Sequence, residues 1–251
     1  MAYRYDDDLE FLKEMSSEDL DDLVYCLTHD KDGLLRIAEE LTLSEDYKAY
    51  SPDHKKYWSL IAAEVQCFGA NTFVTILRGG KGVLYREVLI DVCDKMKVNY
   101  NSDSSIVKIE NNLLMKILTD ALEKMTPEEL KELAAATGMK NTDNITPEMM
   151  VGVFQAIFRM GGFKSYQLTL IVVNAVMKAL IGRGLSFAGN AALTKTMAIL
   201  TGPIGWAITG VWTLTDIAGA AYRVTIPAVI QIAILRQKFL YEKEANNIAF
   251  S

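Results

Sequence analysis

Through the first 160 positions apolar residues recur three and four apart, the spacing of one helix face, rather than alternating as in a half-buried strand. The pattern predicts helices near 9–14, 17–28, 33–42, 52–68, 82–96, 105–124, 127–137 and 147–160. The helix starts are marked chemically. Ser16-Ser17-Glu18-Asp19 sets a hydroxyl ahead of two acids, which satisfies first-turn N–H groups and matches the positive end of the helix dipole. Thr126-Pro127-Glu128-Glu129, Thr146-Pro147-Glu148 and Ser51-Pro52-Asp53 repeat the device with proline at the first helical position. Leu12 to Leu23 echoes Leu122 to Leu133 at an offset of 110. The echo is either a repeated helix–cap–helix unit or the common grammar of helix starts, and one echo is too few for a solenoid.

After Met160 the pattern changes. Residues 166–182 carry a single charge, Lys178, while 184–194, 196–215 and 224–235 carry none. Residues 161–251 hold eight basic and three acidic side chains, a net of +5, against 18 and 29 in residues 1–160, a net of −11. Such a shift predicts two regions: an acidic helical domain over 1–160 and an apolar, net-basic, glycine-containing helical region over 161–251, with Gly161–Gly162 as a hinge.

The uncharged stretch 196–215 is twenty residues long, which meets the length of a membrane-spanning helix. Its threonines and three glycines keep it only weakly hydrophobic. Gly202-Pro203 would bend or break a helix, so two antiparallel half-helices turning at Thr201-Gly202-Pro203-Ile204-Gly205 are expected. Trp206 and Trp212 suit a membrane interface, and Asp216 and Arg223 bound the far end. Three readings stay open: a core of helices apolar all round, a hairpin over 184–235 that leaves its cover to insert, or a constitutive anchor.

Composition narrows the function classes. The chain has 251 residues and a net charge of −6, which demotes a general nucleic-acid binder. Cys26, Cys67 and Cys93 are widely spaced with no CxxC, so neither a disulfide scaffold nor a cysteine-rich zinc module fits. The N-terminus lacks a basic segment followed by an apolar one, so no secretory signal is read there. His29 and His54 fall in no metal-binding spacing. Asp30-Lys31-Asp32-Gly33 begins like a calcium loop but has no glutamate to close it. Arg78-Gly79-Gly80-Lys81-Gly82 is the most glycine-rich loop; it either cradles an anion or makes a tight interhelical turn, and a Walker loop would need Ser or Thr after Gly-Lys. Asn71, Arg78, Tyr85 and Asp91 form a mixed polar set that reads either as a groove or as an ordinary surface helix, and Arg86, Asp91 and Glu110 are weak candidates for an enzyme site.

Tyr5-Asp6-Asp7-Asp8-Leu9-Glu10-Phe11-Leu12, Phe68-Gly69-Ala70-Asn71-Thr72, the stretch Arg78 to Leu89, Ile109-Glu110-Asn111-Asn112-Leu113-Leu114, Thr201 to Trp206 and Ala221 to Pro227 resemble the corresponding stretches of the YaaW-like bacterial family, over nearly the whole chain. The resemblance implies a middle region distantly similar to the ubiquinol–cytochrome c chaperone domain, an all-helical module, and brings no catalytic residues with it. Together these readings predict an all-α multi-helix bundle that is not an enzyme and needs no metal or cofactor. The leading expectation is a cytoplasmic protein acting at or inserting into the inner membrane. Gly202, Pro203, Gly205, Trp206, Trp212, Asp216 and Arg223 would engage membrane lipid or a membrane partner. The alternative is a chaperone or assembly factor that binds proteins through Asn71, Arg78, Tyr85 and Asp91. Nucleic acid is not expected as a partner, and a homo-oligomer is left open.

Overall fold

A computed structural model describes residues 2–30, 32–36, 40–68, 82–186, 194–214 and 222–249. Among them the fold is all-α with no strand, and an isolated β-bridge joins His29 to Leu35. The helices are α1 Ser17–Thr28, α2 Glu40–Leu43, α3 Glu45–Tyr50, α4 Trp58–Phe68, α5 Tyr85–Lys95, α6 Ile106–Leu122, α7 Pro127–Ala136, α8 Pro147–Met160, α9 Gly162–Ile181, α10 Thr194–Leu214 and α11 Tyr222–Ala249. Short 3-10 turns at Glu10–Glu14 and His54–Tyr57 precede α1 and α4.

The caps are largely where the residue types place them. Ser16 accepts from the Asp19 N–H while the Asp19 carboxylate accepts from the Ser16 N–H, and Thr126 and Glu129 make the same reciprocal box at α7. The echo between residues 12–23 and 122–133 includes the same capping box at both helix starts. Thr146 caps α8, with Pro147 in its first turn. Two expectations need correction. The helix drawn over 33–42 is absent over residues 33–36, because the Asp30 carboxylate takes the N–H groups of Asp32 and Leu34 at 2.9 Å each and closes a turn instead. The helix drawn from residue 52 begins as the 3-10 turn and becomes α4 only at Trp58.

The apolar second half supplies the centre of the molecule. Leu168 to Met177 of α9 and Val224 to Leu235 of α11 are buried on every face, as expected of helices without a polar stripe. Around α11 pack α1, α4, α5, α6 and α9. One hydrophobic cluster draws on both compositional regions, from Leu9 to Leu235. At the boundary, Gly161 and Gly162 both sit at positive φ, 68° and 63°, which lets α8 reverse into α9 where a side chain would be strained.

The half-helix turn at Gly202-Pro203 is not observed; α10 runs unbroken through Pro203. The lost N–H bond is offset by packing: Leu200, Ile204 and Ile208, four apart, are buried against the bundle, with α9 as the main neighbour. Among the described residues no helix is long and apolar enough to cross a membrane.

Candidate functional site

The described residues among those singled out in the tail differ in exposure. Gly202 is exposed and Pro203 buried on the same helix, Gly205 is half-buried, and Trp206 stands 75 % exposed. Trp212 lies near the end of α10, and Arg223 is exposed at the start of α11. Asp216 lies outside the described residues.

The predicted polar groove is described only in part. Asn71 and Arg78 lie outside the described residues. Tyr85 is not a surface residue: it is fully buried, and its hydroxyl donates to Glu110 Oε1 at 2.7 Å. Asp91 points outward from the same helix and accepts from the Tyr222 hydroxyl at 3.0 Å. Six positions on a helix leave two side chains about 120° apart around the axis, so the two residues serve different faces. The weak enzyme candidates also go to separate tasks, since Arg86 donates to the carbonyls of Ser102 and Ser104 at 2.7 and 3.0 Å.

A different groove of about 740 Å³ runs between α6 and α8. Two ridges of α6 form its floor. Lys108, Asn112 and Lys116 are four apart on one, and Asn111, Met115 and Thr119 are four apart on the other. Gln155, Phe158 and Arg159 of α8 form the far wall, and Asn99 and Ser105 the mouth. The mouth is held by local bonds: Arg86 fastens the 102–104 carbonyls, Asn112 Nδ2 donates to the Asn99 carbonyl at 3.3 Å, and the Tyr100 hydroxyl donates to Asp94 at 2.7 Å.

No carboxylate lines this groove, although the chain carries a net charge of −6. Lys116 Nζ reaches both oxygens of Asp120 at 2.6 Å, one turn further along α6. Lys108 and Arg159 are exposed and have no carboxylate partner among the described residues. The surface therefore combines net positive charge, side-chain amides and a partly apolar wall at Met115 and Phe158. That set can neutralise acidic side chains and hydrogen-bond an extended backbone at the same time. The sequence carried its signal in the spacing of lysines and asparagines along residues 108–119, but the partnering face of α8 is not adjacent in sequence.

Behind the groove lies a buried polar network. Arg236 Nε donates to Glu110 Oε1 and Oε2 at 3.1 and 2.9 Å, and its Nη2 donates to the Asp8 carbonyl at 2.7 Å. Its guanidinium sits 4.5 Å from the Phe11 ring centre. Burial pushes the Glu110 pKa up, while Arg236 and the Tyr85 hydroxyl pull against it. Burial opposes the Arg236 charge, but Glu110, Tyr85 and Asp8 together outweigh it and hold the pKa above the ordinary guanidinium range. The next residue, Gln237, donates to Asn111 of the groove at 3.1 Å and accepts from Ser165 at 3.2 Å. A second cluster joins α1 to the end of α9. Arg183 bridges Asp21 at 2.8 Å and Asp22 at 2.9 Å, Ser186 donates to Asp22, and buried His54 lies 3.3 Å from Asp21.

The comparisons with known proteins follow this anatomy. The ubiquinol–cytochrome c chaperone family model matches residues 53–230, the span that contains α4 to α10 and the groove. A model for a domain of unknown function, DUF3944, matches residues 3–37. No solved structure matches the chain. A UPF0174 protein of Helicobacter pylori is 54% identical over 238 residues, 95% of this chain and 94% of that protein. Another from the same organism is 44% identical over 208 residues, 81% of this chain and 99% of that protein. The Escherichia coli UPF0174 protein YaaW is 34% identical over 240 residues, 94% of this chain and 95% of that protein. The chain belongs to the UPF0174, YaaW-like family and carries a ubiquinol–cytochrome c chaperone family domain.

Proposed function

We propose that this protein is a chaperone-like, non-catalytic binding protein that holds acidic segments of incompletely folded polypeptides in the groove between α6 and α8. The observation that carries the reading is the groove itself: open, free of carboxylates, and lined by Lys108, Lys116, Arg159 and four side-chain amides in an acidic protein. The name of the matching family, a chaperone, points the same way. Rigid α6 and α8 supply a prepared surface, so an unfolded segment bears most of the ordering cost on binding. Of the 184–235 hairpin, Val224 to Leu235 are buried in the core, and among the described residues no helix is long and apolar enough to cross a membrane.

The test is suppression of aggregation of an acidic, heat-unfolded test protein by the parent chain and by Lys108→Glu/Arg159→Glu. The parent is expected to suppress aggregation in a salt-sensitive way. The double variant is expected to lose most of that effect while keeping its helical content. Equal suppression by both chains would overturn the reading.

A further inference from the structure

Residues 3–12 lie on the helical core in the manner of a bound peptide, with backbone, charge and apolar side chains each read by a separate group. Gln66, fully buried on α4, pairs with the main chain of Arg4 in both directions: the Arg4 N–H donates to Oε1 at 3.1 Å, and Nε2 donates to the Arg4 carbonyl at 2.8 Å. Asp6 accepts the Tyr85 N–H at 2.6 Å. That N–H opens α5, whose own N-cap, Leu84, makes no side-chain cap bond, so the cap comes from 79 residues earlier in the chain. Arg236 takes the Asp8 carbonyl and stacks on Phe11. Tyr3 meets the edge of Trp58, with ring centres 5.4 Å apart. Leu9 and Leu12 are fully buried, and Phe11 packs on Phe239 at 5.7 Å.

The receptor side is also held by contacts that do not involve the strap. Gly82 packs so tightly on Gln66 that a Cβ there would lie 2.3 Å from the Gln66 carbonyl carbon, and the Val83 N–H donates to the Gln66 carbonyl at 3.1 Å. Glu110 holds Arg236, and Tyr85 holds Glu110. Strap and most of the cradle also fall within separate family models, with Arg236 beyond both. Residues 3–37 match one family model, while Gln66, Tyr85 and Glu110 lie within the span of another.

We propose that residues 3–12 are an intramolecular ligand in a peptide-binding site formed by Gln66, the N-terminus of α5, Glu110 and Arg236. The partner that fits is a polypeptide repeating the strap's own pattern: an aspartate followed by apolar side chains three, five and six positions later, as at Asp6, Leu9, Phe11 and Leu12. Binding of such a segment requires the strap to lift, so the strap is autoinhibitory for this site. The site uses residues other than those of the α6–α8 groove, and either can fail without the other.

The probe is a fluorescent synthetic peptide of residues 2–14, titrated into the full-length chain and into full-length Asp6→Ala. The variant weakens the resident strap and leaves the cradle intact. It is expected to bind the peptide at least tenfold more tightly than the parent chain does, and a peptide carrying Asn in place of Asp6 is expected to bind at least tenfold more weakly. A folded Asp6→Ala chain that binds the peptide no better than the parent would overturn the proposal. Where that variant fails to fold, amide hydrogen exchange on the unaltered chain decides. The Leu9, Leu12 and Tyr85 amides are expected to exchange together and at least tenfold faster than those of Ile230–Ile234 in α11. Exchange of the strap amides only at the rate of the α11 core would overturn it.

Discussion

At the scale of single residues, the cost of burial decides the chemistry. Arg236 and Glu110 are both taken out of water, so each needs the other. Glu110→Ala strands a buried guanidinium and is expected to cost about 3–5 kcal/mol in chemical denaturation. Tyr85→Phe removes one charge-assisted hydrogen bond and is expected to cost about 1.5–3 kcal/mol, always less than Glu110→Ala. Burial likewise pushes Cys67 up to about 11 and Cys93 up to about 12. At pH 8 only on the order of one Cys67 in a thousand is then thiolate, so native-state alkylation is expected to be slow, with Cys67 leading the buried Cys26 and Cys93. His29, stacked on Tyr25 at 4.2 Å, has a pKa lowered by burial. The unfolded chain then binds its proton more readily, so this residue's contribution to stability is present above the unfolded pKa and lost as pH falls through the folded one. His29→Gln is expected to flatten the loss of thermal stability between neutral pH and about pH 5, where an ordinary histidine titrates. The Arg236–Glu110 pairing was not visible in sequence, because the two residues stand 126 residues apart. Tyr85 read as a surface residue for the same reason: its partners lie on other elements.

Elements were far more legible. Capping signals at Ser16, Thr126 and Thr146 located three helix starts, since a cap is a local bond between neighbours. Pro203 misled in the opposite sense, because local cost predicts a break and tertiary packing of Leu200, Ile204 and Ile208 overrides it. The stretch 33–36 misled because Asp30 offers its backbone neighbours an alternative to a helix. The glycine-rich stretch 78–82 enters the described structure only at Gly82, whose role is close approach to Gln66. Gly82→Ala sets a methyl group against backbone that cannot swing away, so a loss of about 1–3 kcal/mol is expected by denaturant titration. The same substitution shifts Gln66 and is expected to raise hydrogen exchange at Leu9 and Leu12. The groove was half legible: residues 108–119 show the polar ridges of α6, but their pairing with α8 is a property of the bundle.

Over the whole molecule, the two compositional regions share one hydrophobic cluster. The apolar, basic region provides α9 and α11 for the core, and the acidic region wraps it through α1, α4, α5 and α6. Cross-region ion pairs join the cover to the centre: Arg183 to Asp21 and Asp22, Arg236 to Glu110, and Lys238 to Asp19. The same arrangement leaves Lys108 and Arg159 outside these pairs, on a concave surface of the acidic cover. On the proposed reading this surface holds polypeptide. The measurement that tests it most directly places a photoreactive residue at Gln155, on the groove wall. The protein is then irradiated with an acidic unfolded test polypeptide and anionic lipid vesicles present together. Adducts to the polypeptide, abolished by Lys108→Glu/Arg159→Glu, are the expected result. Adducts to lipid alone, or polypeptide adducts that persist in the double variant, would contradict the account.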